Sequence, residues 1–175
     1  MRAQLLAARR AIDPASRQAW DARIGAHVLA WCARHAVRAL AVYWPLRGEP
    51  DLRPAYAALA ADGVRLALPV VIERDAALGF AAWLPGEAMR QDGMGVAVPA
   101  DMRPLPRPPA LLVPCLGFNG ARLRLGYGGG YYDRTLAAAP RPLTAGIAYA
   151  CLAAVFDGEA HDIALDAIVT QDGQV

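Results

Sequence analysis

A run of glycines between an apolar segment and a helical segment constrains this 175-residue chain more than any other feature. Residues 126–133 (Gly-Tyr-Gly-Gly-Gly-Tyr-Tyr-Asp) follow the apolar segment 111–119 and precede Arg-Thr-Leu-Ala-Ala-Ala (134–139), an order typical of a buried strand, a loop and a helix. Four glycines in five positions allow positive φ angles and a close approach of the backbone to a ligand. Backbone N–H groups of such a loop, together with the N-terminus of the helix, can bind an anion.

Charged side chains flank this loop on both sides. Arg122, Arg124 and Arg134 supply bidentate donors suited to phosphate. Asp133 is placed to hold a cation that accompanies a polyphosphate. A glycine turn alone is a weak signal, but with these arginines and two adjacent tyrosines the sequence favours a phosphate-binding loop over a simple flexible turn.

All 18 basic residues are arginine, and the chain contains no lysine. A P-loop requires a lysine, so this class of nucleotide site is excluded. Schiff-base and pyridoxal chemistry are excluded for the same reason. Any phosphate must be held by arginine, backbone and metal.

Composition indicates one globular domain over residues 1–175, because 56% of the residues are hydrophobic and 19% are charged. A net charge of +2 is too small to indicate a nucleic-acid partner. No apolar run approaches the roughly 20 residues that span a bilayer, and the first residues lack the apolar core of a signal peptide. We therefore expect a cytoplasmic monomer without membrane or nucleic-acid partners. Three cysteines without CxxC spacing argue against a disulfide framework and a thiolate metal site.

Helical and strand-like segments alternate along the chain. Together they predict a three-layer α/β sandwich with a mainly parallel sheet. On the residues alone, the simplest expectation for the basic side chains of the first helix is a solvated face. The predicted helices are 2–11, 14–35, 52–61, 130–138 and 151–156, and the predicted strands are 38–43, 64–71, 78–84, 110–113, 142–150 and, as the final strand, 167–170.

The loop after the first predicted strand is a candidate wall of the site, because open α/β sheets bind ligands at the carboxyl ends of their strands. Trp44 could stack on a planar ring, and Glu49 could accept hydrogen bonds from ring nitrogens. An alternative for Glu49 and Asp51 is that they place negative charge at the N-terminus of the helix over 52–61.

The run 114–134 (Pro-Cys-Leu-Gly-Phe-Asn-Gly-Ala-Arg-Leu-Arg-Leu-Gly-Tyr-Gly-Gly-Gly-Tyr-Tyr-Asp-Arg) resembles the signature of the 5-formyltetrahydrofolate cyclo-ligase family. Weaker matches are the arginine-rich first helix, Tyr-Trp-Pro-Leu-Arg-Gly-Glu (43–49) and Glu-Ala-His-Asp (159–162). The resemblance implies a Rossmann-like sandwich. It also implies conversion of 5-formyltetrahydrofolate, possibly polyglutamylated, to 5,10-methenyltetrahydrofolate, with ATP and Mg²⁺ and release of ADP and phosphate.

The resemblance further implies site residues in each of these segments. The implied catalytic residues are Arg124, Tyr131 and Arg134. The implied ATP-binding residues are Arg2, Arg124, Leu125, Gly126, Tyr127, Gly128, Gly129, Gly130, Tyr131 and Tyr132. The implied folate-binding residues are Trp44, Glu49, Tyr127, Gly128, Gly129, Gly130 and Tyr131, and the implied magnesium-associated acids are Asp133 and Asp162.

The chain departs from the family pattern at two basic positions. Some members have lysine where this loop has Gly129, and Arg134 is the candidate replacement for that charge. A basic residue one turn before Arg2 is usual, so either the sequence starts late or Arg9 or Arg10 contributes instead.

The implied reaction is phosphorylation of the formyl oxygen followed by ring closure, which needs no protein nucleophile. That suits a chain without a Ser/His/Asp or Cys/His arrangement. Three alternatives remain open on the residues: another small-molecule enzyme, such as a sugar-phosphate isomerase, a non-catalytic folate- or nucleotide-binding paralogue, and a nucleic-acid module.

Overall fold

A computed structural model describes residues 1–175 as helices packed on both faces of a central sheet. The helices are Arg2–Ala11 (α1), Pro14–Arg34 (α2), Arg53–Ala61 (α3) and Tyr131–Ala137 (α4), with a 3₁₀ turn at Ala150–Leu152. The strands are Ala39–Ala41 (β1), Arg65–Val70 (β2), Gly79–Trp83 (β3), Met89–Gln91 (β4), Ala97–Pro99 (β5), Pro104–Leu105 (β6), Ala110–Pro114 (β7), Gly117–Phe118 (β8), Arg124–Leu125 (β9), Leu143–Ile147 (β10), Ala167–Thr170 (β11) and Gly173–Gln174 (β12).

The centre of the eight-stranded sheet is parallel. The strand order is β12-β11-β10-β7-β1-β2-β3-β6, and the five strands from β11 to β2 pair in parallel, whereas β12, β3 and β6 pair antiparallel at the edges. The chain leaves β1 toward β2 and later returns to the other side of β1 with β7. The carboxyl ends of β1 and β7 therefore form a topological switch point, where open α/β sheets bind ligands.

The apolar runs that predicted the strands are buried on both faces of the sheet. In β7, Leu112 belongs to a cluster of 23 buried residues that also includes residues of α2 and α3. Leu111 and Val113 belong to a second cluster of 11 buried residues, to which α4 contributes Leu136. The predicted three-layer sandwich with a mainly parallel sheet is thus confirmed.

Helix α2 begins where the sequence predicts. The Asp13 side chain accepts a hydrogen bond from the Ser16 N–H at 2.9 Å, and Pro14 occupies the first helical position. None of the helices has both the length and the apolar character needed to cross a membrane.

Helix α1 packs at the carboxyl ends of the central strands. Its Leu5 side chain lies so close to Gly117 that a Cβ there would come within 2.6 Å of Leu5 Cδ1. Since Gly117 begins β8, shortly after the end of β7, this contact places α1 beside the chain that leaves the switch point.

The predicted helix over 151–156 is wrong. Only a three-residue 3₁₀ turn forms at Ala150–Leu152, because the chain beyond it pairs with β8. Phe118 forms a β-bridge with Ala153 and accepts a hydrogen bond from the Ala154 N–H at 2.8 Å. These long-range hydrogen bonds replace the ones that a helix would make.

Short strands were also missed. β4 and β5 form a hairpin whose turn is held by Asp92, which accepts hydrogen bonds from the N–H groups of Met94 and Val96 at 2.8 and 2.9 Å. The predicted final strand is followed by β12, since Gly173 adopts a φ of +122° and turns the chain back onto β11.

Candidate active site

Two loops meet at the switch point between β1 and β7. We call residues 44–51, which follow β1, the Glu49 loop, and residues 126–130, which lie beyond β7, the glycine loop. The hydroxyl group of Tyr127 in the glycine loop donates a hydrogen bond to Glu49 Oε1 at 3.1 Å. The implied nucleotide loop and the implied folate residue are therefore in direct contact, although 78 residues separate them in the chain.

Tyr127 lies between two arginines. Arg9 Nη2 donates a hydrogen bond to the Tyr127 hydroxyl oxygen. The guanidinium carbons of Arg9 and Arg47 lie 5.7 and 4.9 Å from the centroid of the Tyr127 ring. At these distances both cations interact favourably with the ring, which fixes its position.

Arg9 is fully buried, so the expectation that the basic side chains of α1 face solvent is wrong for this residue. Its Nη2 also donates to the Arg47 carbonyl at 3.0 Å, whereas Nε and Nη1 are buried without a partner. Burial of a guanidinium is costly without a compensating negative charge. Glu49 supplies that charge from the other side of the Tyr127 hydroxyl.

Glu49 is 6% exposed, and its second oxygen, Oε2, accepts a hydrogen bond from the Leu46 N–H at 2.9 Å. Burial raises the pKa of Glu49, while the hydrogen bonds from Leu46 and Tyr127 and the charges of Arg9 and Arg47 act in the opposite direction. The carboxylate is therefore held in a fixed orientation by donors on both oxygens.

A left-handed turn presents Glu49. Arg47 and Gly48 have φ angles of +50° and +78°, which cost little for glycine but are unusual for arginine. Arg17 on α2 stabilises the turn, because its Nη1 donates to the Gly48 carbonyl and its Nη2 to the Arg9 carbonyl, both at 2.7 Å.

The two acids of the Glu49 loop have different roles. Asp51 Oδ1 accepts a hydrogen bond from the N–H of Arg53, the first residue of α3, at 3.1 Å, as the helix-end alternative predicts. Glu49 instead contacts Leu46 and Tyr127. Trp44 packs edge-to-face against Trp83 with ring centroids 6.1 Å apart, and the Arg53 guanidinium lies 5.1 Å from its ring.

The glycine loop depends on glycine at particular positions. Gly128 and Gly130 have φ angles of +93° and +64°. A Cβ on Gly129 would lie 2.9 Å from the Tyr131 ring, so this ring packs directly on the backbone of the loop. Arg134 Nη1 donates to the Gly129 carbonyl at 2.7 Å, and Arg2 Nε donates to the Gly126 carbonyl at 2.9 Å.

The Arg124 side chain packs against the first turn of α4. Its Nη2 forms an ion pair with Asp133 Oδ1 at 2.8 Å, with side-chain exposures of 7% and 20%. The guanidinium carbon is 5.9 Å from the Tyr132 ring centroid. Arg122 is not brought to the site, because its Nε donates to the Leu165 carbonyl at 3.0 Å.

A cleft of about 430 Å³ opens beside the loop. The sequence reasoning assigned no role to His161, one of its lining residues, although the motif at 159–162 could have indicated it. The lining residues are Gly128, Gly130, Asp133, Arg134, Ala137 and His161.

The acidic residues fit a magnesium ion only if a ligand shares it. No group of three or more His, Cys, Asp or Glu side chains is arranged to hold a metal. Asp133 Oδ1 is buried and makes no aligned hydrogen bond, and Asp162 Oδ2 accepts from the Glu159 N–H at 2.9 Å. Mg²⁺ bound with nucleotides commonly uses one or two carboxylates together with phosphate oxygens and water, which this donor set permits.

Comparisons with known proteins cover nearly the whole chain. The sequence profile of the 5-formyltetrahydrofolate cyclo-ligase family matches residues 1–171. The 5-formyltetrahydrofolate cyclo-ligase of Escherichia coli (strain K12) is 31% identical over 170 residues, which cover 93% of each chain. That of Haemophilus influenzae is 30% identical over 115 residues, which cover 63% of this chain and 62% of the relative.

Two solved structures share the fold. The 5,10-methenyltetrahydrofolate synthetase of Mycoplasma pneumoniae has a TM-score of 0.81 and 24% identity, covering 97% of this chain and 96% of its own. The 5,10-methenyltetrahydrofolate synthetase of Aquifex aeolicus has a TM-score of 0.84 and 24% identity, covering 99% of this chain and 89% of its own.

The raised pKa of Glu49 predicts a specific dependence of stability on pH. The folded protein binds the proton of the Glu49 carboxyl group more tightly than the unfolded chain does. Glu49 therefore stabilises the fold at low pH. This contribution is lost as the pH rises from 4.5, the ordinary pKa, through the raised pKa of the folded state. The free energy of unfolding of the wild type should therefore fall relative to that of Glu49→Gln over this range. Urea unfolding from about pH 4 to about pH 8 measures the difference.

Glu73→Gln, which neutralises a glutamate at an exposed position, is the matched control. If the difference in unfolding free energy between the wild type and Glu49→Gln stays constant with pH, or changes in the opposite direction, the pKa of Glu49 is not raised by folding.

Proposed function

The chain belongs to the 5-formyltetrahydrofolate cyclo-ligase family of ligase-type enzymes, and we propose that it converts 5-formyltetrahydrofolate to 5,10-methenyltetrahydrofolate with ATP and Mg²⁺, releasing ADP and phosphate. The observation that carries the proposal is the hydrogen bond between Tyr127 and Glu49. It joins a loop suited to phosphates to a loop with an acceptor for ring N–H groups. Phosphoryl transfer between two substrates requires such neighbouring sites.

On the folate side, Glu49 and Trp44 are the proposed contacts. The Glu49 carboxylate is oriented by Leu46 and Tyr127, and its remaining lone pairs can accept N–H groups of a pterin ring. Tyr127 is 42% exposed, so part of its ring is free to pack on the substrate.

On the nucleotide side, Arg134 is the proposed phosphate donor. Its guanidinium group lines the cleft and is exposed while one nitrogen remains bound to Gly129. A larger side chain at position 129 would displace the Tyr131 ring, so in this chain the positive charge comes from α4. Arg2 approaches the same loop from α1.

The reaction we propose needs no protein nucleophile. The formyl oxygen attacks the γ-phosphorus of ATP and ADP departs, which gives an imino-phosphate at N5. N10 then attacks the formyl carbon and releases its proton to water, the ring closes and phosphate leaves. Positioning and charge stabilisation account for most catalysis of phosphoryl transfer.

The residues that would supply this stabilisation are Arg134, Arg124 and the N–H groups of the glycine loop, while the tyrosines pack on the substrates and exclude water. Asp133 and Asp162 would hold the magnesium ion, which neutralises phosphate charge when bound. We also propose a cytoplasmic monomer: one chain supplies both loops, and all three cysteines are free, as in a reducing compartment.

The direct test is to mix the protein with ATP, Mg²⁺ and 5-formyltetrahydrofolate and to follow the absorbance of methenyl-folate. We expect product only when all three are present. Absence of product would contradict the proposed activity, and binding of folate without product would identify a non-catalytic binder.

Arg134→Ala should weaken ATP binding selectively. Loss of a charged donor to phosphate costs about 1.5–3 kcal/mol, so the KM for ATP should rise at least about tenfold while the KM for folate changes little. Steady-state kinetics with each substrate varied in turn measures both constants. Arg74→Ala is the matched control, because the Arg74 side chain is 92% exposed and should leave both KM values unchanged. A KM for ATP that is equal in the two variants would contradict the role of Arg134.

Arg124→Ala should lower kcat by about 10²-fold or more, because a buried, preoriented charge near the transferred phosphoryl group is lost. Asp133→Asn retains Arg124 and should instead raise the Mg²⁺ concentration needed for half-maximal rate. Kinetics at several Mg²⁺ concentrations, with circular dichroism to monitor folding, separates the two effects. Unchanged kinetics in folded Arg124→Ala would exclude Arg124 from catalysis.

A further inference from the structure

Arg9 has no assigned part in the proposed reaction, yet it is among the largest fully buried side chains of the protein. We propose that Arg9 is a positioning residue that acts through the Tyr127 hydroxyl to keep Glu49 ionised and oriented for the folate ring. This inference rests on the proposed function for the identity of the ligand, and on the contacts among the three residues for everything else.

The hydrogen bonds in this chain of residues run from Arg9 through Tyr127 to Glu49. A guanidinium group can only donate, so the Tyr127 oxygen accepts from Arg9 Nη2. The proton of the Tyr127 hydroxyl is then directed at Glu49 Oε1, 3.1 Å away. Leu46 donates to the other carboxylate oxygen. Both oxygens of Glu49 therefore face donors, an arrangement that matches the ionised carboxylate and not the protonated acid.

The two charges depend on one another. Arg9 has no acidic group as a direct hydrogen-bond partner, and its Nε and Nη1 are buried without any partner. Removal of either charge would leave the other buried with less compensation. Desolvation favours the neutral form of Glu49, and the charge of Arg9 opposes it.

The other groups around Glu49 do not change charge near neutral pH. Arg47 in the same loop and Arg17 on α2 remain protonated. Burial raises the pKa of the Tyr43, Tyr56, Tyr127 and Tyr132 phenols, whose charges would interact with Glu49, so these groups stay neutral. Glu49 is therefore the group of this cluster whose ionisation responds to the loss of Arg9 or of the Tyr127 hydroxyl.

The test compares Tyr127→Phe, Arg9→Met and Glu49→Gln, with Arg74→Met as the exposed control. Tyr127→Phe removes only the hydroxyl, whereas Arg9→Met also removes the hydrogen bond to the Arg47 carbonyl. The KM values for 5-formyltetrahydrofolate and ATP are measured from about pH 6 to about pH 8.5. Binding of 5-formyltetrahydrofolate is followed by tryptophan fluorescence over the same range.

In Tyr127→Phe and Arg9→Met the KM for folate should rise about tenfold near pH 6 and progressively less at higher pH, because Glu49 regains its charge as the pH rises. In Glu49→Gln the KM for folate should rise by the same factor at every pH. The KM for ATP should change less than twofold, roughly the limit of such a comparison, and Arg74→Met should match the wild type.

A loss in Tyr127→Phe that does not vary with pH, or equal increases of the two KM values, would reduce Arg9 to a structural role and overturn the proposal. Urea unfolding without ligand separates this outcome from failure of the cyclo-ligase activity itself. In these measurements the stability contributed by protonated Glu49 is lost over a certain pH range, and Tyr127→Phe should move this range to higher pH. Adding Glu49→Gln should abolish that shift. If Tyr127→Phe leaves that pH unchanged, the inference is overturned even in an active enzyme.

Discussion

The Tyr127 hydroxyl, held between Arg9 and Glu49, is the contact on which the site depends. Each of the three groups would be costly to bury alone: a guanidinium with two unpartnered nitrogens, a carboxylate that is 6% exposed, and a hydroxyl. Together they offset part of this cost, because the Tyr127 hydroxyl accepts from Arg9 and donates to Glu49. The contact also joins three segments that are distant in the chain, namely α1, the Glu49 loop and the glycine loop.

The sheet makes this contact possible. Because β1 and β7 are parallel neighbours and the chain reverses its direction of winding between them, both loops leave the sheet at the same edge. Helix α1 then packs against both loops, because Arg9 donates to the Arg47 carbonyl and to the Tyr127 hydroxyl, and Arg2 donates to the Gly126 carbonyl. The family resemblance lies in these same segments, so the most specific part of the sequence lies where the fold assembles a crevice.

Features with a local physical cause could be predicted from the sequence. The strand at 110–114 follows from an apolar run, the start of α2 from Asp13 and Pro14, and the glycine loop from residues that tolerate positive φ. The loop after the first strand could be named as a wall of the site, because open α/β sheets bind ligands at the carboxyl ends of their strands. The implied folate residue Glu49 and the implied nucleotide loop are in contact, which the order of the segments alone did not require.

Features that depend on distant partners were missed. The burial of Arg9 depends on partners 38 and 118 residues away in the chain, so helical periodicity could not reveal it. The helix expected over 151–156 was lost to pairing with Phe118. The sequence places Arg124 beside the glycine loop, but it could not reveal that Asp133 and Tyr132 contact the guanidinium group. In each case a side chain or a backbone segment finds its partner through tertiary structure.

The central claim is that the Tyr127 hydroxyl couples Arg9 to Glu49, and a double-mutant cycle tests it most directly. Unfolding free energies are measured for the wild type, Arg9→Met, Glu49→Gln and the double variant at about pH 7, and again in the Tyr127→Phe background. The account predicts a coupling of about 0.5–3 kcal/mol with Tyr127 present, because either single variant leaves a buried charge uncompensated, and a much smaller coupling with phenylalanine. Additive effects in the wild-type background, or an equal coupling in both backgrounds, would contradict it.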